Sequence, residues 1–324
     1  MSGLLTYIIR RVLFMIPVFI GVTLFTFVVG NAAGNPINLI LISFKGHLDP
    51  GILAQLEAYY HVGQNPFVRY LYYLWDLLHF DLGISLQSQL PVAREIGAWT
   101  WTTLYLQFSA LALSIVIGIP VAVFSARHQY SKADVAITGV AVFGYSTPTF
   151  WLGIILIYIF SFYLRWLPSA GAVSAVTPWW GNWILDRIAH LILPMTVLAY
   201  VQVAVIVRLL RGNMLEVLRQ DFILAAYASG LKERAIIYGH ALKNAITPIV
   251  TIIGLSIGTA LAGAPALETA FTWPGLGFEF VQAASALDLP TVMGITVIIA
   301  IMVLLANLAT DIVYGFLDPR VRVS

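Results

Sequence analysis

Six blocks of apolar residues, at 12–30, 104–125, 135–164, 188–207, 246–266 and 289–310, set the pattern of this 324-residue chain, and none of them contains Asp, Glu, Lys or Arg. Each approaches or exceeds the roughly 20 residues that a helix needs to cross a hydrocarbon core about 30 Å thick with its backbone polar groups satisfied internally. The third block is too long to cross straight, because 30 helical residues extend about 45 Å. Pro148, between Thr147 and Thr149, is its natural break. Arg10 and Arg11 before the first block also suit a signal peptide, but an apolar run of 19 residues exceeds the usual h-region of about 7–15 and reads as a retained anchor.

Two connections are long enough to have structure of their own. Residues 31–103 mix helix-like stretches at 52–60 and 67–80 with Gly and Pro breaks, and read as a small extracytoplasmic cap. Residues 208–245 are basic and rich in helix formers, and read as two short helices broken near Gly230. The pattern predicts an all-α polytopic membrane protein with six transmembrane helices: an N-terminal helix in residues 1–30, the cap, a five-helix core over 104–316 containing the 208–245 loop, and a tail at 317–324.

Composition agrees: 60% of residues are hydrophobic and 10% charged, with mean hydropathy +0.89, against roughly 25% charged residues in soluble domains. A chain of this size cannot cover a water-exposed surface with so little charge. With the N-terminus inside, all but five of the 17 Lys and Arg (Lys45, Arg69, Arg94, Arg165 and Arg187) lie on the inner side, which makes both termini cytoplasmic. Eight of the nine Trp fall at or beyond the outer interface, and only Trp151 lies within a block. A net charge of +2 gives no reason to expect nucleic acid as a partner, and the absence of Cys excludes disulfides and thiolate metal sites.

Several chemistries lack their residues. There is no G-x-x-x-x-G-K-[ST] loop to cradle nucleotide phosphates, and the uncharged middles of the blocks disfavour an ion-coupled secondary transporter, the competing class. His190 and Asp311 lie near block ends and read as interface or helix-contact residues. Gly254-Leu255-Ser256-Ile257-Gly258 matches G-x-S-x-G, but a nucleophile elbow needs a strand, a turn and a helix. Inside an apolar helix the same glycines, with Ala262 and Ala266, make a smooth packing face. No catalytic or metal-binding cluster is expected.

If this chain carries no power source, a partner supplies it, and the inner loop is the place to dock. Around Asp221-Phe222-Ile223-Leu224-Ala225-Ala226-Tyr227-Ala228-Ser229-Gly230-Leu231-Lys232-Glu233, small side chains would let a helix sit deep in a partner's groove while flanking charges fix register. This stretch resembles the E-A-A-x-x-x-G loop of the membrane subunits of binding-protein-dependent ABC importers. The chain is similar in particular to the B-type permease of their dipeptide/oligopeptide branch. Ala225, Ala226 and Gly230 fall on the motif's Ala, Ala and Gly. His240-Ala241-Leu242-Lys243-Asn244-Ala245 with Pro248, Asp81-Leu82-Gly83, Ser146-Thr147-Pro148, His190-Leu191-Ile192-Leu193-Pro194, Trp273-Pro274-Gly275-Leu276-Gly277 and Leu317-Asp318-Pro319-Arg320 extend the likeness in order. Leu224 stands at the motif's Glu position, and Tyr227 where this branch often has Arg.

The resemblance implies a type I importer permease fold in a prokaryotic inner membrane. It implies a second homologous permease, two cytoplasmic ATPase subunits that bind ATP and Mg, and an extracytoplasmic binding protein, with no cofactor on this chain. The ATPase contact would fall on Asp221, Ala225, Ala226, Tyr227, Gly230, Leu231, Lys232 and Glu233. Tyr145, Ser146, Thr147, Gln202 and Asn307 are the polar candidates for the substrate path. Peptides are the branch's commonest cargo, with oligosaccharides and nickel as alternatives.

Overall fold

A computed structural model describes residues 2–33, 51, 54, 57–58, 61, 63–176, 181–260 and 262–317. Helices dominate: α1 (Ser2–Ala33), α2 (Pro66–Leu78), α3 (Val92–Arg127), α4 (Lys132–Ser146), α5 (Thr149–Leu156), α6 (Trp183–Val217), α7 (Asp221–Ala228), α8 (Glu233–Ala235), α9 (Leu242–Ala245), α10 (Thr247–Ala260), α11 (Pro265–Ala270), α12 (Leu276–Ser285) and α13 (Leu289–Leu317). Single π-helical stretches, Ile157–Tyr163 and Ile236–Ala241, continue α5 and join α8 to α9. Among the described residues, an isolated antiparallel bridge between Ile84 and Pro91 is the only β pairing.

The chain divides into two compact units. The first comprises Met1–Thr103, Leu261–Pro265 and Gly275–Ser324. Its frame is the pair α1 and α13. Arg11 forms an ion pair with Asp311 at 3.0 Å, and Gly30 lies so close to Met293 that a Cβ would come 2.6 Å from its Sδ. Those two contacts make the helices antiparallel, and the intervening 19 and 18 residues each cover about 28 Å, close to the thickness of a hydrocarbon core. Asn65 caps α2 by accepting the Phe67 N–H at 2.9 Å, with Pro66 in the first turn, where its missing donor costs nothing. Tyr70 of α2 donates to the Ile20 carbonyl at 3.2 Å and lies 3.0 Å from the Thr23 hydroxyl.

The loop before α3 is pinned in the same unit. Gly83, at φ +84, receives the Asp81 carboxylate on its N–H at 3.0 Å, a local turn that only a residue tolerant of positive φ makes cheaply. Ser85 Oγ and Thr291 Oγ1 donate to the buried Asp288 carboxylate at 2.6 and 2.9 Å, and the Leu86 N–H donates to it at 3.1 Å. Val92, Ile96, Leu276 and Ile295 form the apolar centre.

The second unit comprises Leu104–Ala260 and Ala266–Pro274. Its core is the interdigitation of Ala122, Val123 and Ala126 with Val207, Leu210 and Met214, and with Ile223, Ile236, Ala241 and Ile249. Helices α4 and α6 approach closely where Gly144 faces the Tyr200 ring, 2.7 Å from where a Cβ would sit. Tyr200 Oη then donates to the Val140 carbonyl at 2.9 Å. At Pro148 the chain bends by 106° between α4 and the α5 segment, as the sequence predicts. Thr147 is driven extended (φ −87, ψ 128) by the proline that follows it.

Four sequence expectations change. The basic loop does not begin at 208, because α6 runs on to Val217. The apolar block at 246–266 is not one helix: α10 is 14 residues, and α11 begins anew at Pro265 after Gly263 at φ +78. A left-handed glycine with a proline two residues on ends a helix on steric grounds. Among the described residues, four helices are long and apolar enough to cross a membrane, and the bent pair at Pro148 makes a fifth candidate. Trp273, grouped in sequence with the interfacial tryptophans, is fully buried, its ring 5.3 Å from that of Tyr105. The helix-like stretch at 52–60 falls mostly outside the described residues.

Candidate functional site

The segment after α6 is built as a short helix clamped on one side and open on the other. Gln220 is extended (φ −81, ψ 151), and Asp221 opens α7, where a carboxylate favours the positive end of the helix dipole. Ile223 (1% exposed) and Ala226 (8%), three residues apart and therefore on one face, pack into the second unit's core. The exposed side chains around this stripe are apolar as well: Leu224 (63%) and Tyr227 (48%), three residues apart on one side, Phe222 (40%) on the other flank and, just beyond the helix, Leu231 (42%).

The end of α7 is a Schellman turn. The Gly230 N–H donates to the Tyr227 carbonyl at 3.0 Å and the Leu231 N–H to the Ala226 carbonyl at 3.4 Å, with Gly230 at φ +76 in the left-handed position that glycine fills without strain. A Cβ there would meet nothing within 4 Å. Beyond it, Glu233 receives both Nε and Nη2 of Arg127, the last residue of α3, at 2.9 Å each.

The predicted docking residues therefore separate. Asp221, Ala225, Tyr227, Gly230, Leu231 and Lys232 are exposed, Ala226 is turned into the chain's own core, and Glu233 is engaged with Arg127. Sequence reasoning singled out the small residues. The exposed apolar side chains between them give the surface its character, and the pair Leu224 and Tyr227 at i, i+3, next to the buried i, i+3 pair Ile223 and Ala226, is the signal that marks it.

Of the polar path candidates, Tyr145 and Ser146 line a cleft between α4 and α6 with Thr138, Arg208 and Arg211. Thr147 donates to the Phe143 carbonyl at 2.7 Å, a local helix contact. Gln202 accepts from the Ser114 hydroxyl at 3.0 Å, an interhelical bond. Asn307 is exposed on α13, in the other unit. Arg211 donates from Nε and Nη2 to the two oxygens of Asp134 at 2.6 and 2.7 Å. Asp134 also receives the Ser125 hydroxyl and the Tyr130 N–H. Arg208 lies with its guanidinium 5.9 Å from the centre of the Tyr145 ring. In sequence both arginines register only as inner-side charges. Their i, i+3 spacing, which puts them on one face, was the available sign.

His190 and Asp311 behave as the contact residues expected of them. His190 Nδ1 is 3.0 Å from the Gly171 carbonyl, and its neighbour Asp186 accepts from the Ser174 N–H and hydroxyl at 2.7 and 2.6 Å, so this cluster ties Gly171 and Ser174 to α6. Ser174 Oγ also lies 3.3 Å from His190 Nε2, so the hydroxyl is shared between the two side chains of α6. Gly254 to Gly258 lie inside α10, without the strand and turn of an elbow. The described residues hold no group of three or more His, Asp or Glu able to bind a metal.

Comparison with known proteins gives a consistent set of likenesses. Residues 118–323 match the family described as the binding-protein-dependent transport system inner membrane component. The chain is 40% identical to the dipeptide transport system permease protein DppB of Escherichia coli strain K12, covering 98% of this chain and 99% of that one. It is 41% identical to the oligopeptide transport system permease protein AppB of Bacillus subtilis strain 168, with the same coverage. Among solved structures it resembles a chain of the inward-facing MetNI methionine ABC transporter, with TM-score 0.52 and 18% identity over 69% of this chain and 96% of that one, a likeness of fold.

Proposed function

Because the chain belongs to the family of inner membrane components of binding-protein-dependent transport systems, we propose that it is the B-type permease of an importer for di- or oligopeptides. A second, homologous permease completes the path, two cytoplasmic ATPase subunits bind ATP and Mg, and an extracytoplasmic binding protein delivers cargo. Peptide cargo is supported by the relatives' names, a dipeptide and an oligopeptide permease of near-equal length.

In this reading α10 and its flanking turns act as the sixth membrane segment, and both termini and α7 are cytoplasmic, in keeping with the placement of Lys and Arg. The observation that carries the coupling role is α7 itself: exposed apolar side chains, Leu224 and Tyr227 on one side with Leu231 just beyond and Phe222 on the other flank, on a helix keyed into the core by Ile223 and Ala226. A helix so held transmits a push. Closure of the ATPases on ATP displaces α7, its buried face carries α6, and the Arg127–Glu233 and Asp134–Arg211 pairs carry α3 and α4 with it. The spans then rock between two packings. Leu224, at the family's Glu position, implies an apolar contact on the ATPase rather than a charge pair.

Co-purification of the complex from native membrane tests the assembly. Two ATPase subunits and a second permease are expected with this chain, and recovery of the chain alone under conditions that preserve other membrane complexes would refute the reading.

A further inference from the structure

Two arginines one turn apart on α6 have opposite situations. Arg211 is neutralised by the bidentate Asp134 carboxylate, whereas Arg208 forms no ion pair among the described residues and meets the face of the Tyr145 ring. Both line the cleft between α4 and α6, whose accessible volume is about 180 Å³. That is less than the roughly 300–1,000 Å³ of a cleft that encloses a whole small ligand, and is room for the end group of a longer one.

Direction matters here. Helical side chains tilt toward their helix's N-terminus, so Arg208 reaches back along α6, away from the Asp134–Arg211 pair and toward Tyr145, eleven residues beyond Asp134 on α4. Tyr145 tilts in the opposite sense, because α4 runs antiparallel to α6: Asp134 faces Arg211 while Gly144 faces Tyr200. The two tips thus converge from opposite directions. A guanidinium seeking lipid phosphates would snorkel the other way, toward the helix end. Arg208, Tyr145 and Ser146 are exposed on the single chain, so the guanidinium is open to an anion that enters the cleft, and the cleft's carboxylate is already committed to Arg211. Thr138, Tyr145 and Ser146 place hydroxyl groups along the same wall, able to donate to a carboxylate's remaining lone pairs.

We propose that the α4–α6 cleft is an oxyanion station on the cargo path, in which Arg208, stacked on Tyr145, takes the terminal carboxylate of the peptide being moved. This rests on the peptide-import reading above. Arg208 would then be a specificity-determining residue of the permease, selecting cargo with a free carboxylate after the binding protein has released it.

The test uses the full transporter complex in phosphatidylcholine vesicles, with and without phosphatidylglycerol. Equilibrium binding of a labelled dipeptide and of its C-terminal amide is measured in the absence of the binding protein, and ATP-driven import is measured separately with the binding protein present. Wild type is expected to bind the free acid about tenfold or more tighter than the amide, the difference that a charge-assisted pair makes. Arg208→Gln should erase that preference and Arg208→Lys should keep part of it, in both lipid mixtures. An unchanged acid preference in Arg208→Gln overturns the proposal while leaving the import reading intact. A defect confined to phosphatidylglycerol vesicles assigns the cleft to a lipid phosphate and also overturns it. A wild-type complex that imports no peptide overturns both.

Discussion

Arg211 and Asp134, 77 residues apart, meet through two parallel N–H···O bonds of 2.6 and 2.7 Å and fasten α6 to α4 beside the segment that leads into α7. Asp134 is almost fully buried and Arg211 partly so. Such a pair is weak evidence of net stabilisation when both members are replaced, but removal of one member strands the other in a poorly solvated site. Asp134→Asn and Arg211→Gln are each expected to destabilise the chain by about 3–5 kcal/mol, read as a loss of thermal stability of the purified complex. Asp134→Leu with Arg211→Met should recover part of this. Full recovery is not expected, because the Ser125 hydroxyl and the Tyr130 N–H also lose their acceptor.

The opposed faces of α7 separate folding from coupling. Ala226→Leu forces extra volume into the core shared with Ile223 and Ile236 and should cost about 1–3 kcal/mol of stability. Leu224→Asp alters an exposed position and should leave thermal stability within about 0.5 kcal/mol, while weakening recovery of the ATPase subunits with the membrane chain. Equal loss of stability in both variants would contradict the assignment of faces.

Gly230 allows strain and partner contact to be told apart. At φ +76 with open space around it, Gly230→Ala pays only the left-handed backbone penalty of about 1–2 kcal/mol, and Gly230→Asn less. Gly230→Trp carries the same backbone strain as Ala within this chain. If its uptake rate falls well below that of Gly230→Ala at matched stability, the added bulk is meeting a partner. Identical uptake in the two variants would count against docking at this turn.

Gly144 limits how closely α4 and α6 approach. Gly144→Ala places a Cβ 2.7 Å from the Tyr200 ring, which is itself held by its hydrogen bond to Val140, so the ring cannot yield freely. A stability loss of about 1–3 kcal/mol is expected, with substantial relief on adding Tyr200→Leu. A Gly144→Ala protein with wild-type melting behaviour would show that the helices separate at no cost.

What could be read from the sequence followed from local sterics and solvent. The bend at Pro148, the turn at Gly230 and the blocks that became α1, α3, α6 and α13 all depend on residues within one helical turn or one span of each other. The extension of α6 past Arg208 was hidden because its exposed basic end has the composition of a loop while its other face, Leu210, Met214 and Val217, joins a core assembled from distant segments. The break near Gly263 was hidden because apolar composition persists through it. In α7, Ala225 and Ala226 are the same residue type about 100° apart around one helix, one exposed and one buried, and only the position of Ile223 relative to the core tells them apart. The converging tips of Arg208 and Tyr145 depend on the antiparallel approach of two helices some 60 residues apart, which no local pattern encodes.

The central claim, that this chain is a peptide-importer permease driven through α7, is tested most directly by ATP-driven uptake of a labelled dipeptide. The assembled complex is placed in vesicles with its binding protein, and wild type is compared with Leu224→Asp. Wild type is expected to accumulate peptide only when ATP is present, and Leu224→Asp to lose most of that uptake while remaining folded in the membrane. Uptake that proceeds without ATP, or a Leu224→Asp complex that transports at the wild-type rate, would contradict the account.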